Sequence, residues 1–155
     1  MRNEPVFDGI GVDFVFSLDG KRAACTGQNG QQWFLVVDGK VGASIEGIVN
    51  GTLTFSPDGK RLACAVAKPD RSACLLVDGK RGSDYDALGC FEFSPDGKHT
   101  AFTAKKGDKN LVVVECVERG EYDRVPAGPV FRSDGSLEFL AANKPSLYRI
   151  EVKDF

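Results

Sequence analysis

The sequence predicts an all-β fold made of four repeats, each a four-stranded antiparallel sheet. The first observation is a phrase that returns through the chain, headed by Phe16, Phe55, Phe93 and Phe131 at spacings of 39, 38 and 38 residues. The second is the Asp-Gly turns that join segments rich in Val, Phe, Leu and Thr, a strong signal for β-hairpins. The third is that no long stretch has helical periodicity, so we expect almost no helix.

The elements of a repeat follow one another in a fixed order, which the second copy shows best. Strand a is GTLTF, the a–b turn SPDGK, strand b RLACAVA, the b–c loop KPDRS, strand c ACLLV, the c–d turn DGK and strand d RGSDYDAL. In SPDGK, Pro presets φ, Asp caps the turn with its side chain, and Gly takes a positive φ. Radial repetition of such sheets with a period of about 40 residues is the pattern of a β-propeller.

The repeated phrases also point to a known family. FSPDGKR and FSPDGKH, each followed by an apolar strand, together with the later VVDGK and LVDGK, resemble the repeats of TolB-type propellers, distant relatives of WD repeats. The resemblance covers nearly the whole chain. It is weaker in the fourth copy, FRSDGSL, which lacks the Pro and the Lys, and in the third, where VECVERG replaces the Asp-Gly turn.

The phase of the repeats predicts how a ring would close. Residues 1–155 form one propeller unit, in which PVFDGIG aligns with a d segment and the final SLYRIEV aligns with strand c. We therefore predict that the N-terminal residues 4–11 supply the outer strand of the last blade, which would leave no unpaired sheet edge.

Two closures are compatible with this phase. One chain could close a four-bladed ring, or two chains could close an eight-bladed ring as a homodimer. The turn per blade is about 90° (360/4) in the first case and about 45° (360/8) in the second, and packed sheets prefer angles of about 30°. Small, Gly-rich outer segments such as VGASIEG also fill a steep wedge poorly. The sequence therefore favours the two-chain ring.

Charge and hydropathy exclude several classes of function. The 20 basic and 22 acidic residues are interspersed, with a net charge of −2, whereas nucleic-acid binding needs a basic face. No apolar run approaches the roughly 18 residues of a membrane-spanning helix. The N-terminus lacks the apolar segment of a signal peptide. We expect a cytoplasmic protein without nucleic-acid or membrane partners, although a removed signal peptide stays possible.

The five cysteines predict no metal or disulfide framework. Their number is odd, no CxxC pair occurs, and each stands among apolar residues, so neither a zinc site nor a set of disulfides is indicated. We expect buried free thiols that act as small hydrophobic residues.

No catalytic constellation is recognisable in the sequence. The single histidine, His99, occupies the place of Arg22 and Arg61 after the a–b turn. The GxSxG, P-loop and HExxH motifs are absent. We predict no catalytic residues and no cofactor.

Strand a would line the central channel of a propeller. Its channel-facing residues would include Asp13, Thr52 and Glu92. Two acids on separate blades do not supply the six or so converging oxygens that a hard cation prefers, so no metal is predicted.

The varied loops predict where a ligand would bind. The a–b and c–d turns share one face of the predicted ring and repeat closely, whereas the b–c and d–a loops share the other face and differ between copies. Because binding residues concentrate on variable loops of rigid scaffolds, we predict a protein or peptide site there. The candidates are Gln31, Trp33, Lys68, Arg71, Tyr85, Lys106, Lys109 and Tyr122.

Other interpretations stay open. Trp33, the only tryptophan, is either a binding anchor or a residue of the blade core. The alternative function is a small-ligand or carbohydrate binder, which could be an enzyme, at the channel mouth. A third interpretation is a piece of a larger propeller protein.

Overall fold

The computed structural model describes residues 6–155, which form four antiparallel sheets. In each sheet the strands lie side by side in chain order. The first three sheets have four strands and the fourth has three. The predicted all-β architecture of antiparallel sheets is confirmed. Over the described range no helix suited to crossing a membrane is found.

The strands follow the predicted repeats. The first sheet contains β1 (Gly9–Phe16), β2 (Ala23–Asn29), β3 (Gln32–Val37) and β4 (Lys40–Ile45). The second contains β5 (Thr54–Phe55), β6 (Leu62–Ala67), β7 (Ala73–Val77) and β8 (Lys80–Tyr85). The third contains β9 (Ala87–Phe93), β10 (Thr100–Lys106), β11 (Lys109–Val114) and β12 (Val117–Tyr122). The fourth contains β13 (Arg124–Phe131), β14 (Leu137–Asn143) and β15 (Ser146–Val152).

The N-terminal segment enters the first sheet earlier than the sequence predicts. Gly9 and Ile10 already belong to β1 and pair with β2, and residues 6–8 lie outside the strands. Residues 4 and 5 lie outside the described residues. The pairing of residues 4–11 with the last blade stays a prediction.

The a–b turns share one hydrogen-bonded device. In the second copy the Ser56 hydroxyl donates to Asp58 Oδ1 at 2.6 Å, and the Lys60 N–H donates to the same oxygen at 3.1 Å. The Arg61 N–H donates back to Ser56 Oγ at 3.0 Å. The Ser17–Asp19 and Ser94–Asp96 pairs repeat these contacts. The hydrogen bonds, first of all that from serine, lower the pKa of these aspartates.

In the first three sheets the c–d turn is tied to the residues that follow the a–b turn. Arg22 Nε donates to Asp38 Oδ2 at 2.9 Å, and the Ala23 N–H donates to Asp38 Oδ1 at 3.0 Å. The second sheet repeats both contacts with Asp78. In the third sheet Glu115 takes the place of the aspartate and accepts from the Thr100 N–H at 2.6 Å. The segment VECVERG therefore keeps the contact between an acidic side chain and a backbone N–H, although it lacks the Asp-Gly pair.

The chain divides after Gly82 into two compact units, each with its own core. In the first unit the buried core consists of Ala24, Ile45, Leu53, Phe55, Leu62, Cys64, Val66, Cys74 and Leu76. It joins the first sheet to the second. In the second unit the core consists of Ala101, Val112, Val114, Leu137, Phe139 and Ala141. It joins the third sheet to the fourth.

The first strand of each sheet is irregular. Bulges interrupt the pairing of β1, β9 and β13 with their neighbours. In the second sheet a turn over residues 49–52 replaces most of the predicted strand GTLTF, with the Thr52 N–H donating to the Val49 carbonyl at 3.2 Å. Gly51 has a φ of 78°, and its N–H donates to Asp13 Oδ1 at 2.9 Å. The Asn50-Gly51 pair is a turn signal that could have located this break.

The five cysteines differ in burial, and Cys25 is half-buried. Cys64 and Cys74 are buried as predicted, and burial raises the pKa of the Cys64 thiol to about 12. Cys90 and Cys116 are exposed, so the prediction of buried thiols is wrong for them. The reason is local: Cys90 lies in the bulged strand β9, and Cys116 occupies a turn with a φ of 64°.

Candidate functional site

A cavity of about 340 Å³ lies beside Trp33 in the first unit. It is at the loop end of the first two sheets, by which we mean the end that carries the b–c and d–a loops. Its lining consists of Ile10, Gly11, Val12, Thr26, Trp33, Gly47, Ile48 and Asn50. The bulge of β1 and the turn over residues 49–52 both adjoin this space, and bulges are frequent next to functional sites.

Trp33 combines the two roles that the sequence left open. It is half-buried and packs against the core of the first unit, and it also lines the cavity. Gly11 makes this arrangement possible, because a Cβ there would lie 1.7 Å from Thr26 Oγ1 and 3.3 Å from Trp33 Cζ3. Only glycine fits between the tryptophan ring and the threonine hydroxyl.

Thr26 supplies the most unusual polar group of the cavity. Its side chain is fully buried, and its Oγ1 has no hydrogen-bond partner within residues 6–155. A buried hydroxyl without a partner costs about 1–3 kcal/mol of stability. Nothing in the sequence indicates Thr26, because its isolation depends on the bulge that brings Gly11 against it.

The loop ends carry a repeated device that sequence reasoning missed. An aspartate before strand a caps the following b–c turn: Asp8 Oδ2 accepts from the Gly30 N–H at 2.9 Å. Asp86 Oδ2 accepts from the Gly107 N–H at 2.6 Å. Asp123 Oδ2 accepts from the Lys144 N–H at 3.0 Å. In the second sheet the corresponding acid, Glu46, instead pairs with Arg81 at 2.8 Å. The signal was an acid that recurs just before strand a.

Two of the four predicted basic candidates form ion pairs with acidic neighbours. Lys109 Nζ lies 2.6 Å from Asp123 Oδ1, which raises the pKa of the lysine, and Lys106 Nζ lies 3.6 Å from Glu118. Lys68 is half-buried, whereas Gln31 and Arg71 are exposed in b–c loops. Arg71 has a φ of 70°.

Of the two predicted tyrosines, Tyr85 is buried and Tyr122 is half-buried. Tyr85 is only 3% exposed and packs edge-on against Phe102, with ring centroids 5.9 Å apart. Tyr122 is half-buried, packs against Phe139 at 5.8 Å, and donates its hydroxyl to the Arg119 carbonyl at 3.2 Å. Their rings fill space between strands, because each closes a d strand with its side chain turned inwards.

Two of the three predicted channel residues, Asp13 and Thr52, contact the turn over residues 49–52. Thr52 lies in the turn before β5, where its hydroxyl donates to the Val49 carbonyl at 2.6 Å and accepts from the Ala65 N–H at 3.0 Å. Asp13 holds this turn through Gly51, and its buried Oδ2 has no hydrogen-bond partner among residues 6–155. Glu92 is exposed on β9. The searched range, residues 6–155, contains no group of three or more His, Cys, Asp or Glu side chains placed to hold a metal ion.

Comparison with known proteins gives matches among solved structures. No protein-family model matches the chain, and no curated protein matches it significantly. The chain is similar to the β-propeller domain of the Trilobed protease from Pyrococcus furiosus, with a TM-score of 0.53 and 15% identity over 84% of this chain and 48% of that one. It is similar to prolyl oligopeptidase B from Galerina marginata, with a TM-score of 0.54 and 16% identity over 92% and 27%.

A further match is TolB from Acinetobacter baumannii, with a TM-score of 0.49 and 16% identity over 90% of this chain and 40% of that one. The chain thus spans about half the length of the protease propeller domain and less of the other two proteins. At these identities the likeness concerns the fold alone. The four antiparallel sheets of this chain have a β-propeller fold.

Proposed function

We propose that the chain is a non-catalytic binding module that recognises a protein or peptide segment at the loop end of its sheets. The observation that carries the proposal is the cavity of about 340 Å³ beside Trp33. Its volume is at the lower end of the range of ligand pockets and is sufficient for one apolar side chain. Tryptophan is among the residues that most often dominate the energy of protein interfaces.

The walls of the cavity support recognition rather than catalysis. Trp33, Ile48 and the glycines offer apolar and main-chain surface, and Thr26 offers one buried hydroxyl. A partner that inserts an apolar group would cover the apolar walls, and a hydrogen-bonding atom beside that group could pair with the exposed Asn50 side chain. We also infer that the repeats are of the TolB type, which the FSPDGK phrases support.

A second candidate is a small hydroxylated ligand such as a sugar. Thr26 and Asn50 provide polar side chains beside the Trp33 ring in the same cavity. A ring hydroxyl could pair with the exposed Asn50 side chain while the apolar face of the sugar covers the indole. This candidate needs no extended surface beyond the cavity.

The test uses peptides selected from a phage-displayed library on the purified chain, with affinity measured by calorimetry. Asn50→Arg places a long cation at the cavity mouth, where Asn50 is exposed, and we expect at least a tenfold loss of affinity for selected peptides. Val117→Arg is the matched control, because Val117 is exposed beside a c–d turn. Binding should survive this second change.

Each outcome decides between the candidates. Selected peptides that bind Asn50→Arg and the parent chain equally contradict a site at the cavity. If no peptide is selected, but a panel of monosaccharides raises the melting temperature of the parent and not of Asn50→Arg, the small-ligand candidate replaces the first. Stabilisation by a native-state ligand follows mass action.

A further inference from the structure

The first strand exposes a row of apolar side chains. Ile10, Val12, Phe14 and Phe16 alternate along β1, and all four are more than half exposed. The Phe14 and Phe16 rings pack edge to face with centroids 4.9 Å apart. We call these four residues the aromatic face of the first sheet. A contiguous apolar surface of this kind marks an interaction site in a soluble protein.

The repeats themselves show what normally covers this face. Phe16, Phe55 and Phe93 head the same phrase, yet Phe55 and Phe93 are each 9% exposed whereas Phe16 is 63% exposed. Phe55 and Leu53, the counterparts of Phe16 and Phe14, are buried in the core that joins the second sheet to the first. The aromatic face therefore occupies a sheet–sheet packing position that the rest of the first unit does not fill.

The fourth sheet offers the complementary surface. A groove of about 440 Å³ is lined by Ala127, Gly128, Val130, Arg132, Glu138, Phe139 and Leu140. Val130 precedes Phe131 as Val15 precedes Phe16, and Glu138 follows the paired Leu137 as Ala24 follows the paired Ala23. Val15 and Ala24 are the residues of the first sheet that pack with Phe55 and Leu53. The groove thus lies where the aromatic side chains of a following sheet would dock.

The charges of the groove suit an aromatic partner. Glu138 forms ion pairs with both Arg132 and Arg149, so the cluster carries one excess positive charge. Within the first unit, the Arg22 guanidinium already lies 5.2 Å from the centre of the Phe55 ring. Arginine over an aromatic ring is a favourable contact, and the same pairing is available between the groove arginines and Phe14 or Phe16.

We propose that the aromatic face of one copy docks in the fourth-sheet groove of a second copy, and that the reciprocal contact closes a ring of two chains. Each contact joins two different surfaces, and two of them close the assembly without a free end. The occupant is a second copy because this chain carries both complementary surfaces and its own repeats show the mode of packing. The inference needs no ligand, and it shares Ile10 and Val12 with the cavity of the proposed function, because both residues belong to the aromatic face and to the cavity lining.

Light scattering on the purified chain tests the proposal. Twice the chain mass of 16.7 kDa, about 33 kDa, is the expected result. Phe16→Asp and Val130→Asp each place a charge in the contact and should give monomers. Both side chains are largely exposed, so circular dichroism should show an unchanged fold. Val117→Asp is the control with a similar exposed valine and should stay dimeric.

Mixing the two variants is the most discriminating experiment. Phe16→Asp keeps an intact groove and Val130→Asp keeps an intact aromatic face, so an equimolar mixture should form mixed dimers, detectable by native mass spectrometry with one chain tagged. They should be weaker than the parent dimer, because only one of the two contacts is intact. A monomeric parent, a dimeric Val130→Asp variant or an assembly larger than two would overturn the proposal.

Discussion

At the scale of single residues, Cys116 stands where the other sheets have glycine. The c–d turns of the first two sheets place Gly39 and Gly79 at φ values of 77° and 78°, and Cys116 has a φ of 64°. A residue with a Cβ is strained in this left-handed region by about 1–2 kcal/mol. The turn is held nonetheless by Glu115 and its contact with Thr100.

We expect Cys116→Gly to stabilise the chain. Relief of the strain exceeds the extra entropy of glycine in the unfolded chain, and the net gain should be about 0.5–1 kcal/mol in the free energy of unfolding. Urea denaturation measures it. Cys116→Ala removes the thiol but keeps the Cβ, so it should bring no such gain. An equal gain in the free energy of unfolding from Cys116→Ala would show that the thiol, rather than backbone strain, destabilises the turn.

Thr26→Val should also stabilise the chain, by about 1 kcal/mol, because it removes a buried hydroxyl without a partner and keeps the shape of the side chain. Thermal unfolding without ligand is the measurement. Thr52→Val is the contrasting variant, since the Thr52 hydroxyl makes two hydrogen bonds and its loss should destabilise. Destabilisation by Thr26→Val would mean that the hydroxyl has a partner, such as bound water.

Residue positions were predictable only where the repeat constrains them. Trp33 was expected beside the first b–c loop, and it lines the cavity there. Tyr85 was expected on the surface, but it is buried at the end of β8. The other residues of β8 are largely exposed. The composition of the strand therefore does not indicate that its last side chain points inwards. Which side a terminal residue faces depends on the twist of the strand, which composition does not specify.

At the scale of elements, the a–b turns make stability sensitive to acid. Serine hydroxyls and backbone N–H groups lower the pKa of Asp19, Asp58 and Asp96 below the usual 3.8. A group with a depressed folded-state pKa contributes its stability above the unfolded value and loses it as the pH falls through the folded value. The contribution is therefore complete at neutral pH.

We expect the free energy of unfolding to be level above about pH 5 for these groups and to fall as the pH drops below about 4. Urea denaturation over this range measures the slope. Ser56→Ala removes the main cause of the shift at Asp58 and should reduce the slope on the acid side. Ser133→Ala, at an exposed position of the fourth a–b turn, is the control. An unchanged slope in Ser56→Ala would contradict the role of the hydroxyl.

Elements with turn signals were predicted best. Turn phrases of the SPDGK and VDGK type predicted the order of the strands, because Pro, Asp and Gly restrict the backbone directly. The bulges of β1, β9 and β13 were not foreseen, since they arise from packing between strands rather than from a local residue preference. The Asn50-Gly51 pair indicates the turn over residues 49–52, whereas the alignment of the repeats predicts a strand from residue 51 onward.

At the scale of the whole molecule, association should appear in thermal stability. If two copies bind only when folded, the melting temperature rises with protein concentration. Calorimetry across a dilution series should show this rise for the parent and a constant value for Phe16→Asp. A constant value for both would speak against coupling between folding and association.

The period of the repeat predicted the number and kind of sheets, but not the closure of a ring. A four-bladed and an eight-bladed ring use the same phase of strands, so the sequence pattern is the same for both. What distinguishes them is whether residues such as Phe16 and Val130 are covered by their own chain or by another. That is a property of surfaces, which the period does not describe.

One contact between the first two sheets bears on how a chain of such repeats could gain further repeats in evolution. Arg22 Nη1 donates to the carbonyl groups of Gly59 and Lys60, at 3.0 and 3.1 Å. Carbonyl groups belong to every residue, so this link does not depend on which side chain occupies position 60. A duplicated repeat inserted at this junction would present the same two acceptors. The chain could therefore lengthen by whole units while the side chains of its turns diverge.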